Sequence, residues 1–249
     1  MIDTDPIFTT FLKKEQITAD AWTFSFKKPK GFKYTAGQYI KIKLPINAPD
    51  SRGVSRYFTL SSSPTEEFLS ITTRIMKSSF KIALSEISQN SRVEMRGPWG
   101  DFVLDISASL ENTRDRQGKQ VVMIAGGIGL TPYRSMIKYV VDMKLPFRII
   151  MIVSYRNEKD ILFKEELEGI QKKNNNIQIV TTISEPGASW RGDKGRINIK
   201  LLQKKLASFN NKAYYIAGPD PMIAVIARML GSEGVVKDQI LTDGFPGYT

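Results

Sequence analysis

Cysteine and histidine are both absent from the 249-residue chain. Without thiols the chain can form no disulfide and no thiolate-bound metal cluster, and without imidazole it lacks the commonest metal ligand. Nucleophilic catalysis by Cys–His or Ser–His–Asp groups is excluded for the same reason. A carboxylate metal site or acid–base site stays open, but redox chemistry would have to rest on an organic cofactor.

Targeting and membrane signals are also lacking. Residues 1–10 contain Asp3, Asp5 and Pro6, and they have neither the basic start nor the apolar core of a signal peptide. No apolar run approaches the roughly 18 residues of a transmembrane helix. We therefore expect a cytoplasmic protein without membrane insertion.

Positive charge is in excess, with a formal net charge of +11, and most of that excess lies in residues 113–249. A basic surface can attract a polyanion such as a phosphate-rich dinucleotide, although scattered solvated lysines give the same sum. No helix-turn-helix, zinc-finger or RNP pattern accompanies the charge, so we expect no nucleic-acid partner.

The hydrophobic periodicity changes near the middle of the chain. In residues 7–104, alternating apolar residues such as those of Trp22–Phe26 and Ile40–Leu44 predict short strands of an antiparallel barrel or sandwich. One short helix, around Phe80 to Ile87, is predicted among them.

After the polar residues 107–120, strand and helix patterns alternate, which predicts a parallel sheet. We therefore predict two domains, an antiparallel β-barrel over 1–112 and an α/β domain over 113–249. The predicted strands are 121–125, 149–153, 177–181 and 214–217, and the predicted helices lie near 132–143, 162–173, 198–207 and 220–231.

A glycine turn with the sequence AGGIGLTP follows the first strand of the second half, at residues 125–132. Thr131 suits a helix N-cap and Pro132 suits the first helical position. Glycines let a ligand approach the backbone closely, and the free N–H groups of a helix start favour an anion such as pyrophosphate. The turn is not the G-x-G-x-x-G fingerprint, so a purely structural turn is the alternative.

A second motif, RYFTLSS at residues 56–62, combines an arginine, two aromatic rings and several hydroxyls. Strand alternation places Arg56 and Phe58 on one face and Tyr57 and Thr59 on the other. A ligand that contacts both Phe58 and Thr59 therefore needs a bent strand or a position along its edge. A half-exposed strand with a salt-bridged arginine is the plainer interpretation.

Two further segments are strand ends followed by helix starts. The first runs from Arg74 to Lys81, where Ser78 or Ser79 can cap a helix whose N-terminus could bind phosphate. The second runs from Tyr215 to Met222, at the predicted end of a fourth parallel strand, where ligands of such sheets bind. Ordinary capping and a plain βα turn are the respective alternatives.

Together and in this order, the four segments resemble the ferredoxin–NADP reductase-like superfamily over almost the whole chain. The resemblance implies an FAD-binding antiparallel barrel followed by a nicotinamide-binding α/β domain, with FAD between them. It also implies an oxidoreductase in which NAD(P)H reduces FAD and electrons then pass to a separate carrier.

For the first domain, the resemblance implies that Arg56 binds the flavin pyrophosphate. Phe58 would cover the isoalloxazine ring, in place of the commoner tyrosine, and Thr59 would lie near flavin N5. The turn at Gly97–Gly100 resembles one that is usually structural in the family. The remaining implied flavin contacts are Tyr57, Thr72, Thr73, Arg74, Ser78, Ser79 and Phe80.

For the second domain, the resemblance implies a loop that binds the nicotinamide and the pyrophosphate. Arg156 lies where some members bind a 2′-phosphate, so it would favour NADPH. Ala217 replaces a cysteine that many members place near the nicotinamide, and Phe245 or Tyr248 would cover the other flavin face. The implied dinucleotide contacts are Gly126, Gly127, Gly129, Thr131, Pro132, Gly218, Pro219 and Met222.

The electron acceptor would be a ferredoxin, a flavodoxin or a haem protein. An acidic acceptor could be steered by the lysines at 27, 28, 30, 33, 41 and 43. An enzyme that reduces free flavin or a small oxidant is one alternative. A regulatory subunit that senses nucleotide without catalysis is another.

Overall fold

A computed structural model of the chain describes residues 5–105 and 120–245. The chain divides into two compact units. The first unit extends to Leu104 and also includes Thr131–Tyr139, and the second unit is made of the remaining residues. The predicted domain boundary at residue 112 falls outside the described residues and stays a prediction.

The first unit is a six-stranded antiparallel sheet in the order β4-β3-β6-β1-β2-β5. A bridge between Leu60 and Ile71 joins the two ends of that order, which closes the sheet into a barrel. Its strands are β1 (Ile7–Gln16), β2 (Ala21–Lys27), β3 (Tyr39–Lys43), β4 (Ser55–Thr59), β5 (Phe68–Arg74) and β6 (Arg92–Trp99).

The predicted alternation accounts for the core of this barrel. Phe24 and Phe26 of β2 are buried, as are Ile40 and Ile42 of β3, because residues two apart on a strand face the same side. Helix α1 (Ser79–Glu86) adds Phe80 and Leu84 to the same core. The predicted antiparallel barrel and its short helix are confirmed.

The second unit contains a parallel sheet in the order β10-β9-β8-β7-β11-β12. Its strands are β7 (Gln120–Gly126), β8 (Arg148–Tyr155), β9 (Ile177–Ile183), β10 (Asp193–Lys194), β11 (Lys212–Gly218) and β12 (Ile240–Gly244). The helices after β7 are α2 (Thr131–Asp142), α3 (Lys164–Lys173), α4 (Ile199–Lys205) and α5 (Asp220–Ser232). The predicted parallel α/β sheet is confirmed, and β10 and β12 extend it beyond the four predicted strands.

The order of the parallel strands reverses at β7. From β7 the chain adds β8 and β9 on one side, and it then crosses to place β11 on the other. At such a reversal the connections leave in opposite directions, so a crevice opens beyond the carboxyl ends of the two central strands. Here those ends are Gly126 and Gly218.

Among the helices of the described ranges, none combines the length and the apolar character needed to cross a membrane.

Candidate functional site

Arg56 lies in a small cationic cluster in front of β4. Its Nη1 donates to the carbonyls of Arg52, Gly53 and Ser55 at 2.7–2.9 Å, and its Nη2 pairs with Asp50 at 2.8 Å. Arg52 pairs with the other oxygen of the same carboxylate at 3.0 Å. The hydrogen bonds and charge of Arg52, with the charge of Arg56, hold the pKa of Asp50 well below its usual range. The guanidinium of Arg56 is thus fixed by backbone and carboxylate together.

The first turn of α1 lies beside this cluster. Ser78 is its N-cap, and the Ser78 hydroxyl accepts a hydrogen bond from the N–H of Lys81 at 3.2 Å. The hydroxyl of Ser79 accepts from the N–H of Asp50 at 2.8 Å, which ties the cluster to the helix start. The predicted cap is confirmed, and cationic side chains and a helix N-terminus share one place.

Lys81 is a half-buried cation in the same place, and sequence analysis gave it no role. Its Nζ donates to the hydroxyl of Thr73 and to the carbonyl of Arg74, the latter at 3.1 Å. It lies 5.4 Å from the centre of the Phe58 ring. Burial, together with the charges of Arg56 and Arg52, lowers the pKa of Lys81 to about 7.

Two phenylalanine rings form the apolar side of the cluster. Phe58 and Phe80 pack with ring centres 5.8 Å apart, and the guanidinium carbon of Arg56 lies 5.3 Å from the Phe80 ring. Phe58 is 8% exposed and Phe80 is fully buried. The structure therefore brings three predicted flavin contacts together, with both aromatic rings set into the barrel core.

Tyr57 lies on the opposite side of β4 from Phe58, as alternation predicts. Its ring is 50% exposed and contacts Tyr39 at 5.7 Å and Trp99 at 6.3 Å between ring centres. The Nε1 atom of Trp99 is buried and has no hydrogen-bond partner among the described residues. This aromatic cluster was not predicted, since its three rings come from β3, β4 and β6.

The other predicted contacts of the first unit are divided. Thr59 is buried at the end of β4, and Thr72 forms hydroxyl contacts with Thr23 at 2.8 Å and Ser61 at 2.9 Å. Arg74 pairs its guanidinium with Asp20, whereas Arg56 pairs with Asp50. Among the predicted contacts on β5, Thr73 is linked to the cationic cluster, because its hydroxyl accepts a hydrogen bond from Lys81.

In the second unit, the two glycine loops meet beyond β7 and β11. A Cβ placed on Gly129 would lie 2.3 Å from the carbonyl oxygen of Ala217, and one on Gly126 would lie 2.6 Å from the sulfur of Met222. A Cβ on Gly218 would in turn lie 2.8 Å from the terminal methyl of Met222. A side chain at any of these glycines would collide, so the two loops pack closely, with the Ala217 backbone against Gly129 and the Met222 side chain against Gly126 and Gly218.

The structure corrects the predicted N-cap role of Thr131. A 3-10 turn over Gly127–Leu130 runs directly into α2, and Thr131 is the first residue of α2 and is 2% exposed. Helical backbone thus begins five residues before the predicted start at Pro132, at Gly127, which follows β7 with a φ of +51°. Pro132 is buried in the first turn of α2.

The far side of the crevice is built by the ends of β11 and β12. Pro219 is the N-cap residue of α5, and Ala217 is fully buried opposite Asp243 in the parallel pairing. The N–H of Phe245 donates to the carbonyl of Gly218 at 3.1 Å. Burial raises the pKa of Asp243 to about 6, a feature that sequence reasoning did not find.

Arg156 follows β8 and forms an exposed ion pair with Glu185 at 2.9 Å. The hydrogen bond and charge of Glu185 raise the pKa of Arg156. The guanidinium that was predicted to contact a 2′-phosphate is thus paired with a carboxylate. The other predicted residue near the C-terminus, Tyr248, lies outside the described residues.

Two family models match separate parts of the chain. Residues 9–104 match an oxidoreductase FAD-binding domain, and residues 123–228 match an oxidoreductase NAD-binding domain. These ranges contain the cationic cluster and the glycine crevice respectively. Together they define an oxidoreductase module with one FAD-binding domain and one NAD-binding domain.

Known proteins resemble the chain over nearly its whole length. The glycine betaine monooxygenase reductase subunit of Pseudomonas aeruginosa is 27% identical over 230 residues, which are 90% of this chain and 60% of that protein. Ferredoxin–NADP reductase B of Sorangium cellulosum is 23% identical over 250 residues, 96% of this chain and 98% of that protein. The crystal structure of a ferredoxin NADP+ reductase from Neisseria gonorrhoeae with bound FAD and NADP shares the fold, with a TM-score of 0.79, 16% identity, and coverage of 96% of this chain and 98% of that one.

The chain belongs to the ferredoxin–NADP reductase-like superfamily. It spans 60% of the length of the first of these relatives, so that relative has a substantial part that this sequence does not match.

Proposed function

We propose that the chain is an NAD(P)H-dependent flavoprotein reductase that passes electrons to a separate acceptor protein. The observation that carries this proposal is the complementarity of the two units. One gathers cations and aromatic rings at a helix start, and the other brings two glycine loops together at a strand-order reversal. The names of the relatives agree with this proposal, since each describes a reductase.

The residues of the first unit fit the chemistry of FAD. Arg56, Arg52 and the first turn of α1 supply the positive charge and N–H groups that a pyrophosphate requires. Phe58 and Phe80 supply an apolar, aromatic wall beside them. When bound, FAD supplies the redox chemistry, and these residues bind and orient it.

The second unit fits the dinucleotide donor. Gly126, Gly129 and Gly218 let the loops after β7 and β11 pack closely, and the helical turn that begins at Gly127 offers main-chain N–H groups to a pyrophosphate. Ala217 adds no reactive group at this place, and we propose that it only positions the donor. The pairing of Arg156 with Glu185 suits either dinucleotide: a 2′-phosphate would have to compete with that carboxylate.

We further propose an acidic acceptor. Of the six lysines considered for docking, Lys27, Lys30 and Lys33 are exposed at the end of β2 and in the segment after it. Lys28 instead donates to the carbonyls of Pro64 and Glu66, and Lys43 pairs with Glu94. Lys27, Lys30 and Lys33 are therefore the better candidates for steering. A cytoplasmic location stays a prediction from the sequence.

The spectrum of the purified protein tests the main proposal. We expect flavin absorption bands that bleach without oxygen when NADPH or NADH is added. Oxidation of NAD(P)H without tightly held FAD would favour a reductase of free flavin instead. A colourless protein that binds no added FAD would contradict the proposal.

Charge reversal tests the acidic acceptor. With a candidate acidic ferredoxin or flavodoxin, the double variant K30E/K33E should slow electron transfer and weaken its dependence on salt. Reversal of Lys172, an exposed lysine of α3, is the control and should leave the rate unchanged. A rate that is insensitive to both salt and K30E/K33E would contradict this part of the proposal.

A further inference from the structure

Arg134, in the first turn of α2, is tied to the segment that follows β4. Its Nη1 donates to the carbonyl of Ser61 and to Oε2 of Glu66, both at 2.8 Å, and its Nη2 donates to Oε1 of Glu66 at 3.1 Å. Two parallel hydrogen bonds to one carboxylate fix the geometry of the pair as well as attracting the charges. The side chain of Arg134 is 14% exposed and that of Glu66 is 20% exposed, so salt screens this pair little.

The next residue of α2 contacts the same segment. The hydroxyl of the fully buried Ser135 donates to the carbonyl of Ser62 at 2.5 Å. The hydroxyl of Tyr34 donates to that carbonyl as well, at 3.0 Å. Two successive carbonyls shortly after β4 are therefore held by two successive side chains of α2, and all of these residues belong to the first unit.

The place of Arg134 in its helix is unfavourable by itself. The N-terminus of a helix carries partial positive charge, so a cation in the first turn is destabilising unless an anion pairs with it. Glu66 is that anion, and the N–H of Ser63 donates to its Oε2 at 2.6 Å. Burial alone would raise the pKa of Glu66, but the hydrogen bond and the charge of Arg134, with those of other neighbours, lower it. The carboxylate is therefore ionised near neutral pH and stays paired with the guanidinium.

Arg134 connects two segments that the proposed function assigns to hydride transfer. Ser61 follows Thr59 by two residues, and Thr59 is the predicted neighbour of flavin N5. On the other side, Arg134 lies four residues after the 3-10 turn Gly127–Leu130, whose N–H groups are offered to the donor. Because this turn runs directly into α2, a shift of the helix start shifts the turn as well.

We propose that Arg134 is a positioning residue for hydride transfer, which fixes the helix that carries the donor-binding turn to the strand end that carries Thr59. This inference rests on the proposed function, because it takes FAD and NAD(P)H as the ligands of the chain. In that reaction one hydride passes from NAD(P)H to FAD, so the first is oxidised and the second reduced by two electrons. Arg134 contributes only to the distance between the reacting atoms, where an error of about 1 Å costs about 100-fold in rate.

Anaerobic reduction of the flavin-loaded full chain tests the inference. In Arg134→Met, bleaching by saturating NADPH or NADH should slow by about tenfold to 100-fold. The KM for the dinucleotide and the flavin content should stay within about twofold of the native values, because the residues assigned to each ligand are intact. Reduction by dithionite, a small reductant that needs no positioned site, should keep its native rate.

Three further variants complete the comparison. Arg228→Met is the matched control, since it makes the same substitution at an exposed position of α5, and it should leave both rates unchanged. Arg134→Lys keeps the charge without the fork, so its bleaching by NAD(P)H should be intermediate. Glu66→Gln removes the charge of the partner and should slow bleaching by NAD(P)H but not by dithionite. If R134M fails to fold, native rates in both R134K and E66Q overturn the inference.

An R134M protein that holds flavin and is bleached by NAD(P)H at the native rate overturns this inference alone. An equal slowing with dithionite would show a general loss of structure and would overturn it as well. If the native chain holds no flavin at all, the proposed function fails first.

Discussion

The candidate site of the first unit is made of long side chains, whereas that of the second unit depends on glycines. In the barrel, long side chains converge: Arg56, Lys81 and Phe80 meet at the first turn of α1. In the parallel sheet, side chains are missing where the backbone of Gly129 approaches that of Ala217. Both arrangements offer N–H donors and positive potential to phosphate. The barrel site should therefore be lost when a side chain is removed, and the site in the parallel sheet when a side chain is added.

The largest effect is expected when a side chain is added to the crevice. Gly129→Ala places a Cβ 2.3 Å from the carbonyl oxygen of Ala217, and backbone on both sides leaves little room to adjust. We expect it to destabilise the second unit by about 3 kcal/mol. Thermal unfolding measures this. The control is Gly169→Ala in α3, where nothing lies within 4 Å, and it should stabilise the chain by about 0.5–1 kcal/mol.

The complementary change removes a side chain from the barrel. Arg56→Met deletes the guanidinium that pairs with Asp50 and lies beside Phe80. We expect FAD release about 100-fold faster, because charge-assisted contacts to phosphate are lost. Flavin content after gel filtration checks this. Arg56→Lys should be intermediate, since it keeps the charge without the fork; full flavin retention by R56M would contradict the account.

The two units should also differ in how their stability depends on pH, because Asp243 lies at the end of the parallel sheet. Its pKa is raised from 3.8 to about 6, so the folded chain binds more protons there than the unfolded chain. Stability should therefore fall by about 2 kcal/mol as the pH rises from 4 to 6, and it should level off above pH 7. Asp243→Asn should remove this fall. Melting temperatures across pH 4–7 decide the matter, and equal slopes in both proteins would contradict it.

The smallest effect is expected at the exposed pair of Arg156 and Glu185. Arg156→Gln should leave stability unchanged, because exposed ion pairs contribute about 0–1 kcal/mol. It should lower the preference for NADPH over NADH by at most about tenfold, while Glu185→Gln frees the guanidinium and should raise that preference. The ratio of kcat/KM values measures both. If the ratio is unchanged in both variants, Arg156 does not contact the dinucleotide.

Local patterns were enough to predict much of this architecture. The alternation of Ile40 and Ile42 and the cap at Ser78 depend on residues close in sequence, so spacing alone was enough to predict this burial and this cap. Strand β6 follows the same rule, because its buried residues Val93 and Met95 alternate with charged ones.

Contacts between residues far apart in the sequence could not be predicted from local patterns. Lys81 follows a capping serine and has the appearance of a surface lysine until Phe58, from a distant strand, covers it. Asp243 is half-buried beside Ala217, its partner in the pairing of β12 with β11. The close approach of Gly129 to Ala217 likewise requires the crossing that places β11 beside β7. In each case the decisive neighbour is set by topology.

Anaerobic reduction of three proteins tests the central claim most directly. The native chain should show flavin bands that NAD(P)H bleaches. Arg56→Met should lose the bands, whereas Gly129→Ala, measured below its melting temperature, should keep them and bleach far more slowly. A native chain without flavin, or a G129A protein that bleaches at the native rate while R56M keeps its colour, would contradict the account.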